Sequence, residues 1–170
     1  MNWNSFKTYD LGEREAFETL NNQLFERYIR RNYGDKVTRF RVVNGSGGDG
    51  GVEAYAEIGP TTVIAVQSKY FRQALDTNEI GQIKDSILTA KKVRSNLEEY
   101  IICIPRNLSS IKFTKGNKLT KDPEEYRVQA LVDEISKIHP GLVLTLWFDS
   151  ELLKEVQQPD NEGVHKYFPG

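Results

Sequence analysis

The order of apolar segments between residues 62 and 104 constrains the fold of this chain more than any other feature. Residues 62–70 are β-branched and apolar until the run turns polar near its end, and residues 100–104 form a second short apolar run. Between them, from about 77 to 94, apolar residues recur at helical spacing. This strand–helix–strand order predicts two parallel strands in one sheet, because parallel strands need a crossover connection that is usually helical.

The N-terminal half adds a helix and two further strands to this unit. Residues 13–33 carry an apolar stripe at helical spacing, and Gly34 follows as a helix terminator. Residues 37–43 and 52–58 alternate apolar and polar side chains, which is typical of strands. The second of these strands is followed by Gly59 and Pro60, and it is therefore predicted to form a hairpin with 62–70.

The C-terminal half begins with helix-start signals. Asp122 is suited to an N-cap, Pro123 to the first helical position and Glu125 to a capping box, so we expect a helix running to about Ile138. Charged residues precede this helix in a polar loop over 106–121.

The last predicted strand covers 142–148, and Ser150 is expected to cap a short helix that ends near residue 156. Residues 157–170 show no period and are interpreted as an irregular tail or linker. The whole pattern predicts a single domain over 1–170 of the α/β class, with a mixed central sheet flanked by helices.

Composition restricts the compartment more than the function. The 170 residues carry 23 basic and 24 acidic side chains, a formal net charge of −1 that argues neither for nor against a nucleic-acid partner. The single cysteine, Cys103, excludes internal disulfides and thiolate metal clusters, which favours a reducing cytoplasm. No apolar run is long enough to span a bilayer, and the N-terminus lacks the apolar core of a secretory signal.

The chemistry-bearing residues cluster where two predicted strands meet. Asn44 to Gly51 holds five glycines in eight residues around Asp49, and Glu53 follows at the start of a strand. Gln67 and Lys69 close the next strand, and residues two apart in a strand share a face. Glu53 opposes Gln67 only if the intervening turn has three or five residues, because a two-residue turn would place them on opposite faces.

If that register holds, two carboxylates, an amide oxygen and an ammonium group converge. Hard oxygen ligands such as Asp49, Glu53 and Gln67 suit Mg²⁺, which binds through one or two carboxylates and keeps several waters. The metal would polarise a scissile phosphate and acidify a water. Lys69 could orient or deprotonate that water and offset charge in the transition state.

These motifs are similar to those of a known nuclease family. An acidic strand residue followed by Gln-x-Lys resembles the PD-(D/E)xK nuclease superfamily, in the variant where glutamine replaces the second carboxylate. The strings G-D-G-G-V-E and V-Q-S-K-Y, ending at Glu53 and Tyr70, resemble Mrr-type restriction endonucleases, and the pair Phe17-Glu18 matches their first helix. Nearly the whole chain resembles the N-terminal effector nucleases of bacterial antiphage defence proteins.

The resemblance implies a restriction-endonuclease-like fold and a metal-dependent DNA endonuclease that hydrolyses phosphodiester bonds. Its implied cofactor is Mg²⁺, with Mn²⁺ as a substitute. The implied catalytic residues are Glu53, Gln67, Lys69, Glu18 and Asp49, of which Glu53, Asp49 and Gln67 would hold the metal. This sequence departs from the family in having Glu53 where many relatives have Asp, and in having Ser68 at the variable position.

The resemblance also implies partners. These are double-stranded DNA, further copies of the chain in a dimer or larger assembly, and a regulatory or sensor region in a longer cytoplasmic antiviral protein, without a membrane. The basic loop that holds Lys112, Lys115, Lys118 and Lys121 could contact DNA phosphates, although such loops are often only solvated.

Other interpretations remain open at this point. The glycine run could be a simple connector, and Glu53 and Lys69 could form an exposed cross-strand ion pair. The chain could also be a catalytically silent DNA-binding or oligomerisation module, or a junction-resolving nuclease with the same active-site chemistry.

Overall fold

The structure is a computed structural model that describes residues 2–43, 50–109 and 124–167. Within these residues there are five strands: β1 Val37–Val42, β2 Ala54–Ile58, β3 Thr62–Ser68, β4 Leu97–Cys103 and β5 Val143–Trp147. The α-helices are α1 Glu13–Tyr33, α2 Thr77–Val93, α3 Glu124–Ile138, α4 Asp149–Val156 and α5 Glu162–Tyr167. Single 3₁₀ turns occur at Trp3–Ser5, Gly34–Lys36 and Pro159–Asn161.

The strands form one mixed sheet in the order β1-β2-β3-β4-β5. The pairs β1/β2 and β2/β3 are antiparallel, and the pairs β3/β4 and β4/β5 are parallel. The predicted parallel pairing across α2 is therefore confirmed. The predicted α/β class, with a mixed central sheet flanked by helices, is also confirmed and is consistent with a restriction-endonuclease-like architecture.

Both faces of the sheet are covered by helices. Ile64 and Val66 pack into a core with α1, α4 and α5, whereas Val63 and Ala65 pack into a second core with α2 and α3. Strand β3 is consequently buried on both faces from Val63 onward, which explains why its sequence is a continuous apolar run. None of the described helices is long and apolar enough to cross a membrane.

The first helix ends where the sequence predicts. Gly34 follows α1 with a positive φ of 49°, a conformation that glycine adopts without a Cβ clash. Strand β4, in contrast, begins at Leu97 rather than at Tyr100. The apolar pattern does not indicate residues 97–99 as part of the strand, because Glu98 and Glu99 interrupt it. Leu97 is nevertheless fully buried.

The predicted cap of α4 is wrong. The helix begins at Asp149, so Ser150 lies inside its first turn. The backbone N and the Oγ of Ser150 both donate to Oδ1 of Asn107, at 3.1 and 3.0 Å. Asn107, from the segment after β4, therefore accepts a hydrogen bond from a free backbone N at the start of α4. The sequence predicts this capping role for Ser150 itself.

The segment predicted as an irregular tail also differs in the structure. Residues 157–167 contain the turn Pro159–Asn161 and helix α5, and Asn161 and Val164 are buried. Arg31 of α1 donates to both carboxylate oxygens of Asp160 at 3.0 Å. Contacts with α1, which is distant in sequence, hold this segment, and no local period could reveal them.

A buried carboxylate joins the segments that follow β3 and β4. Glu124, at the start of α3, is 2% exposed and forms an ion pair with Arg106. It accepts hydrogen bonds from Leu75 N at 2.7 Å and from the N and Oγ of Ser109, both at 2.9 Å. One side chain thus holds three segments together at the edge of the sheet where β3 and β4 end.

We expect Glu124→Gln to lower the free energy of unfolding by about 3 kcal/mol, because Arg106 would lose its buried counter-charge. The amide would also turn a donor toward groups that are themselves donors. Urea denaturation measures the change. Glu125→Gln, at the exposed neighbouring position, serves as the control and should alter stability by less than about 0.5 kcal/mol. Equal unfolding midpoints for both variants would contradict this account of the contact.

Candidate active site

The register of β2 against β3 brings Glu53 close to the end of β3. The ladder pairs Ala54 with Val66 and ends at Ile58 and Thr62, so the connection has three residues, 59–61. The ladder ends at Ala54, and beyond it the hydrogen bonding shifts by one residue, because Glu53 N donates to Val66 O at 2.9 Å. A turn of one of the predicted lengths is therefore confirmed, and Glu53 meets Gln67 through a side-chain hydrogen bond rather than as a paired residue of the ladder.

Glu53 and Gln67 are hydrogen-bonded and nearly buried. Oε1 of Glu53 accepts from Nε2 of Gln67 at 3.0 Å, and Oε2 accepts from the backbone N of Ser68, also at 3.0 Å. The three residues are only 6–8% exposed. The carboxylate is thus held across the strand pair by two donors from the end of β3.

A glycine turn directs Glu53 into this position. Gly51 has a φ of +76°, and a Cβ there would lie 2.5 Å from the backbone oxygen of Ser86 in α2. The hydroxyl of Tyr100 donates to the carbonyl oxygen of Gly51. This close approach explains why the predicted alternation fails at Val52, which packs into the core on the α2 side rather than with Ala54 on the α1 side.

Two adjoining cavities meet at Glu18 and Gln67, which line both of them. The larger one, of about 470 Å³, lies between α1 and the strands and is also lined by three further carboxylates, those of Glu15, Glu26 and Glu53. The smaller one, of about 150 Å³, is also lined by two cations, Arg14 and Lys69. Apart from Glu18, which is shared, the acidic side chains line the larger cavity and the basic side chains line the smaller one.

The structure thus brings four of the predicted site residues together: Glu18, Glu53, Gln67 and Lys69. Lys69 directly follows β3, and its backbone N donates to Cys103 O at 2.9 Å. The remaining predicted residues lie outside the described part of the chain; they are Asp49, Lys112, Lys115, Lys118 and Lys121.

The side chains present fit a hard divalent cation. Oε1 of Gln67 is buried and has no hydrogen-bond partner among the described residues, and it lies on the amide group that contacts the Glu53 carboxylate. An amide oxygen beside a carboxylate is a suitable partial ligand set for Mg²⁺, which completes its shell with water. The described residues contain no group of three or more His, Cys, Asp or Glu placed to hold a metal. The predicted third protein ligand, Asp49, lies outside them.

Two residues near the site are not indicated by the sequence motifs. Arg14 lies in the first turn of α1 and lines the smaller cavity. Asn21 is fully buried on α1, and its Nδ2 donates to Oγ of Ser68 at 2.8 Å. The available signal for Asn21 was a polar residue inside the apolar stripe of the helix, next to Leu20.

Comparisons of the chain with protein-family models and with curated protein sequences find no match.

Cys103 lies next to the candidate site. Its side chain is fully buried at the end of β4, and Ser68 is its pairing partner on β3. Burial raises the pKa of the Cys103 thiol well above its usual range, and the negative charge of Glu53 raises it further. The thiol therefore stays protonated and unreactive across the physiological pH range.

We expect Cys103 in the folded protein to resist alkylation by iodoacetamide at about pH 8, because only the thiolate reacts and the buried thiol remains protonated. Mass spectrometry should show little label until urea unfolds the chain, after which the single cysteine should react fully. Since the pKa is raised, native labelling should stay far slower than labelling of the unfolded chain throughout about pH 7 to 9, and it should still be rising steeply at pH 9, where an ordinary thiol of pKa about 8.5 is mostly thiolate. Rapid native labelling would contradict the buried position.

Proposed function

We propose that this chain is a metal-dependent DNA endonuclease of the PD-(D/E)xK superfamily, similar to Mrr-type restriction endonucleases, and that it hydrolyses phosphodiester bonds. The observation that carries the proposal is the buried hydrogen-bonded pair of Glu53 and Gln67 at the end of β3. Lys69 and Glu18 border the same pair of cavities.

The burial of Glu53 supports a functional role over a simple surface role. Glu53 is 6% exposed, so it does not form the exposed cross-strand ion pair that the sequence left open. Removing a carboxylate from water is costly unless donors or a cation compensate it. Oε1 of Gln67, which has no hydrogen-bond partner in the described part of the chain, adds a second oxygen beside this carboxylate that a cation would satisfy.

The proposed roles follow from these positions. Glu53 and Gln67, with Asp49, would hold Mg²⁺ or Mn²⁺, and the metal would polarise the scissile phosphate and acidify a water. Lys69 would orient or deprotonate the attacking water and offset negative charge in the transition state. Glu18, which projects from α1 to the border of both cavities, would help to position the water.

The division of charge around Gln67 agrees with a phosphodiester substrate. The acidic cavity would attract a cation, whereas Arg14 and Lys69 in the smaller cavity would attract a phosphate group. We propose double-stranded DNA as the substrate. Cutting both strands needs two such sites, which favours a dimer or larger assembly. Control by a regulatory region of a longer antiphage protein is part of the same proposal.

The central prediction is that wild-type protein nicks or linearises supercoiled plasmid in Mg²⁺ or Mn²⁺ but not in EDTA. Lys69→Ala should lower the cleavage rate by at least about 100-fold, because the group proposed to activate the water is removed. Lys137→Ala is a matched control, since Lys137 is exposed in the last turn of α3, at the opposite end of the sheet. Gel electrophoresis over a range of protein concentrations measures both variants.

Each other outcome would favour a different function. If wild-type protein leaves the plasmid intact even when fused to a dimerising domain, the endonuclease proposal fails and a silent DNA-binding module is favoured. Cleavage of a cruciform but not of a linear duplex would indicate a junction-resolving nuclease. Metal-dependent cleavage that survives Lys69→Ala would eliminate the proposed role of this lysine.

Metal binding can be tested separately from cleavage. We expect Glu53→Gln to weaken Mn²⁺ binding, measured by electron paramagnetic resonance of free Mn²⁺, by at least about tenfold, because a charged oxygen ligand becomes a neutral amide. Glu57→Gln is the matched control on β2, where Glu57 pairs with Arg39 away from the cavities. Equal Mn²⁺ affinity in the two variants would contradict the proposed site.

A further inference from the structure

A buried polar contact connects α1 to the candidate site through Ser68. Asn21 is fully buried, its Nδ2 donates to Oγ of Ser68 at 2.8 Å, and its Oδ1 has no partner among the described residues. The backbone N of Ser68 in turn donates to Oε2 of Glu53 at 3.0 Å. A continuous path of two hydrogen-bonding residues therefore runs from the core side of α1 to the site carboxylate.

The Asn21–Ser68 contact lies where the core beneath α1 becomes polar. Ile64 and Val66 of β3 pack into the core beneath α1, and Ser68 is the next residue in the same alternation. The neighbours of Asn21 on the helix, such as Leu20 and Leu24, are apolar and fully buried. An apolar side chain at position 21 would match these surroundings.

Core packing alone does not explain an asparagine here. A buried amide oxygen without a partner lowers stability, so Asn21 makes the core less favourable than an apolar residue of similar shape would. Polar residues that break a local rule of packing are expected mainly at functional sites. Among the described residues, the Asn21 side chain directs its hydrogen bond at Ser68, the residue between Gln67 and Lys69.

We propose that the Asn21–Ser68 hydrogen bond is a positioning contact for the endonuclease reaction. It holds the end of β3 against α1, so that Ser68 N and Gln67 Nε2 both meet the Glu53 carboxylate in one orientation. Asn21 acts through Ser68 and is therefore a positioning residue, not a catalytic one. This inference rests on the proposed nuclease function.

The test compares Asn21→Leu and Ser68→Ala with Asn161→Leu. Asn161 is an internal control of the same kind: it is fully buried, its Nδ2 donates to Glu155 O at 2.8 Å, and its Oδ1 lacks a partner among the described residues. Its partner lies in α4, and it lines neither cavity at the site.

We expect Asn21→Leu and Ser68→Ala each to lower kcat for Mn²⁺-dependent plasmid cleavage by about 10–100-fold, the usual cost of removing a group that orients a metal ligand. KM for the plasmid should be unchanged, because neither group is proposed to bind DNA. The double variant should have about the same kcat as the less active of the two single variants, since both changes break the same contact. Thermal unfolding should show that Asn21→Leu remains at least as stable as wild type, and Asn161→Leu should keep the wild-type kcat.

The remaining outcomes separate this inference from the proposed function. Wild-type kcat in Asn21→Leu, beside an active wild type and an inactive Lys69→Ala, would overturn the positioning role and leave the nuclease proposal intact. Equal losses in Asn21→Leu and Asn161→Leu, accompanied by lower melting temperatures, would show a purely structural role and overturn it as well. A wild-type protein that neither cleaves plasmid nor binds Mn²⁺ would overturn the proposed function, and the inference would fail with it.

Discussion

The pairing of β2 with β3 determines whether this chain has a site at all. A connection of three residues pairs Ala54 with Val66 and leaves the side chain of Glu53 within hydrogen-bond reach of Gln67. A connection shorter by one would shift every pair and turn the carboxylate to the other face. The glycine turn before β2 also determines where Glu53 lies. Gly51 approaches the backbone of α2 so closely that no side chain fits, and Tyr100 bonds to its carbonyl oxygen. The position of one carboxylate thus depends on contacts with three elements of the fold.

The sequence predicts those features that local physical rules control. Continuous apolar runs separated by a helical period correctly predict parallel β3 and β4, and Gly34 correctly predicts the end of α1. The features it misses depend on distant partners. Asn107 accepts hydrogen bonds from Ser150 in another segment, and Asp160 accepts hydrogen bonds from Arg31 of α1. None of these contacts leaves a periodic trace in the local sequence, because the stabilising group lies elsewhere in the chain.

The candidate site shows the same division between local and distant information. Gln67 and Lys69 could be placed together from strand geometry alone, and Glu53 could be added once the turn length was assumed. The glutamate of α1 came only from a family resemblance, because helix periodicity does not indicate which strand Glu18 approaches. Asn21 was visible as a polar interruption of an apolar stripe, but its partner Ser68 is 47 residues away. Only the packing of α1 on β3 makes that pair meaningful.

Glutamate at position 53 has a physical reason in this fold. The residue precedes β2, and its carboxylate must reach both the side chain of Gln67 and the backbone N of Ser68 on the neighbouring strand. Opposite Cβ atoms in an antiparallel pair are about 5 Å apart, so the additional methylene of glutamate helps the carboxylate to reach the far side of that gap. A shorter aspartate would favour one of these two contacts over the other. Glutamate in place of aspartate at position 53, where the sequence departs from the motif that it resembles, is therefore compatible with a site in which the end of β3, itself held by Asn21, directs the carboxylate.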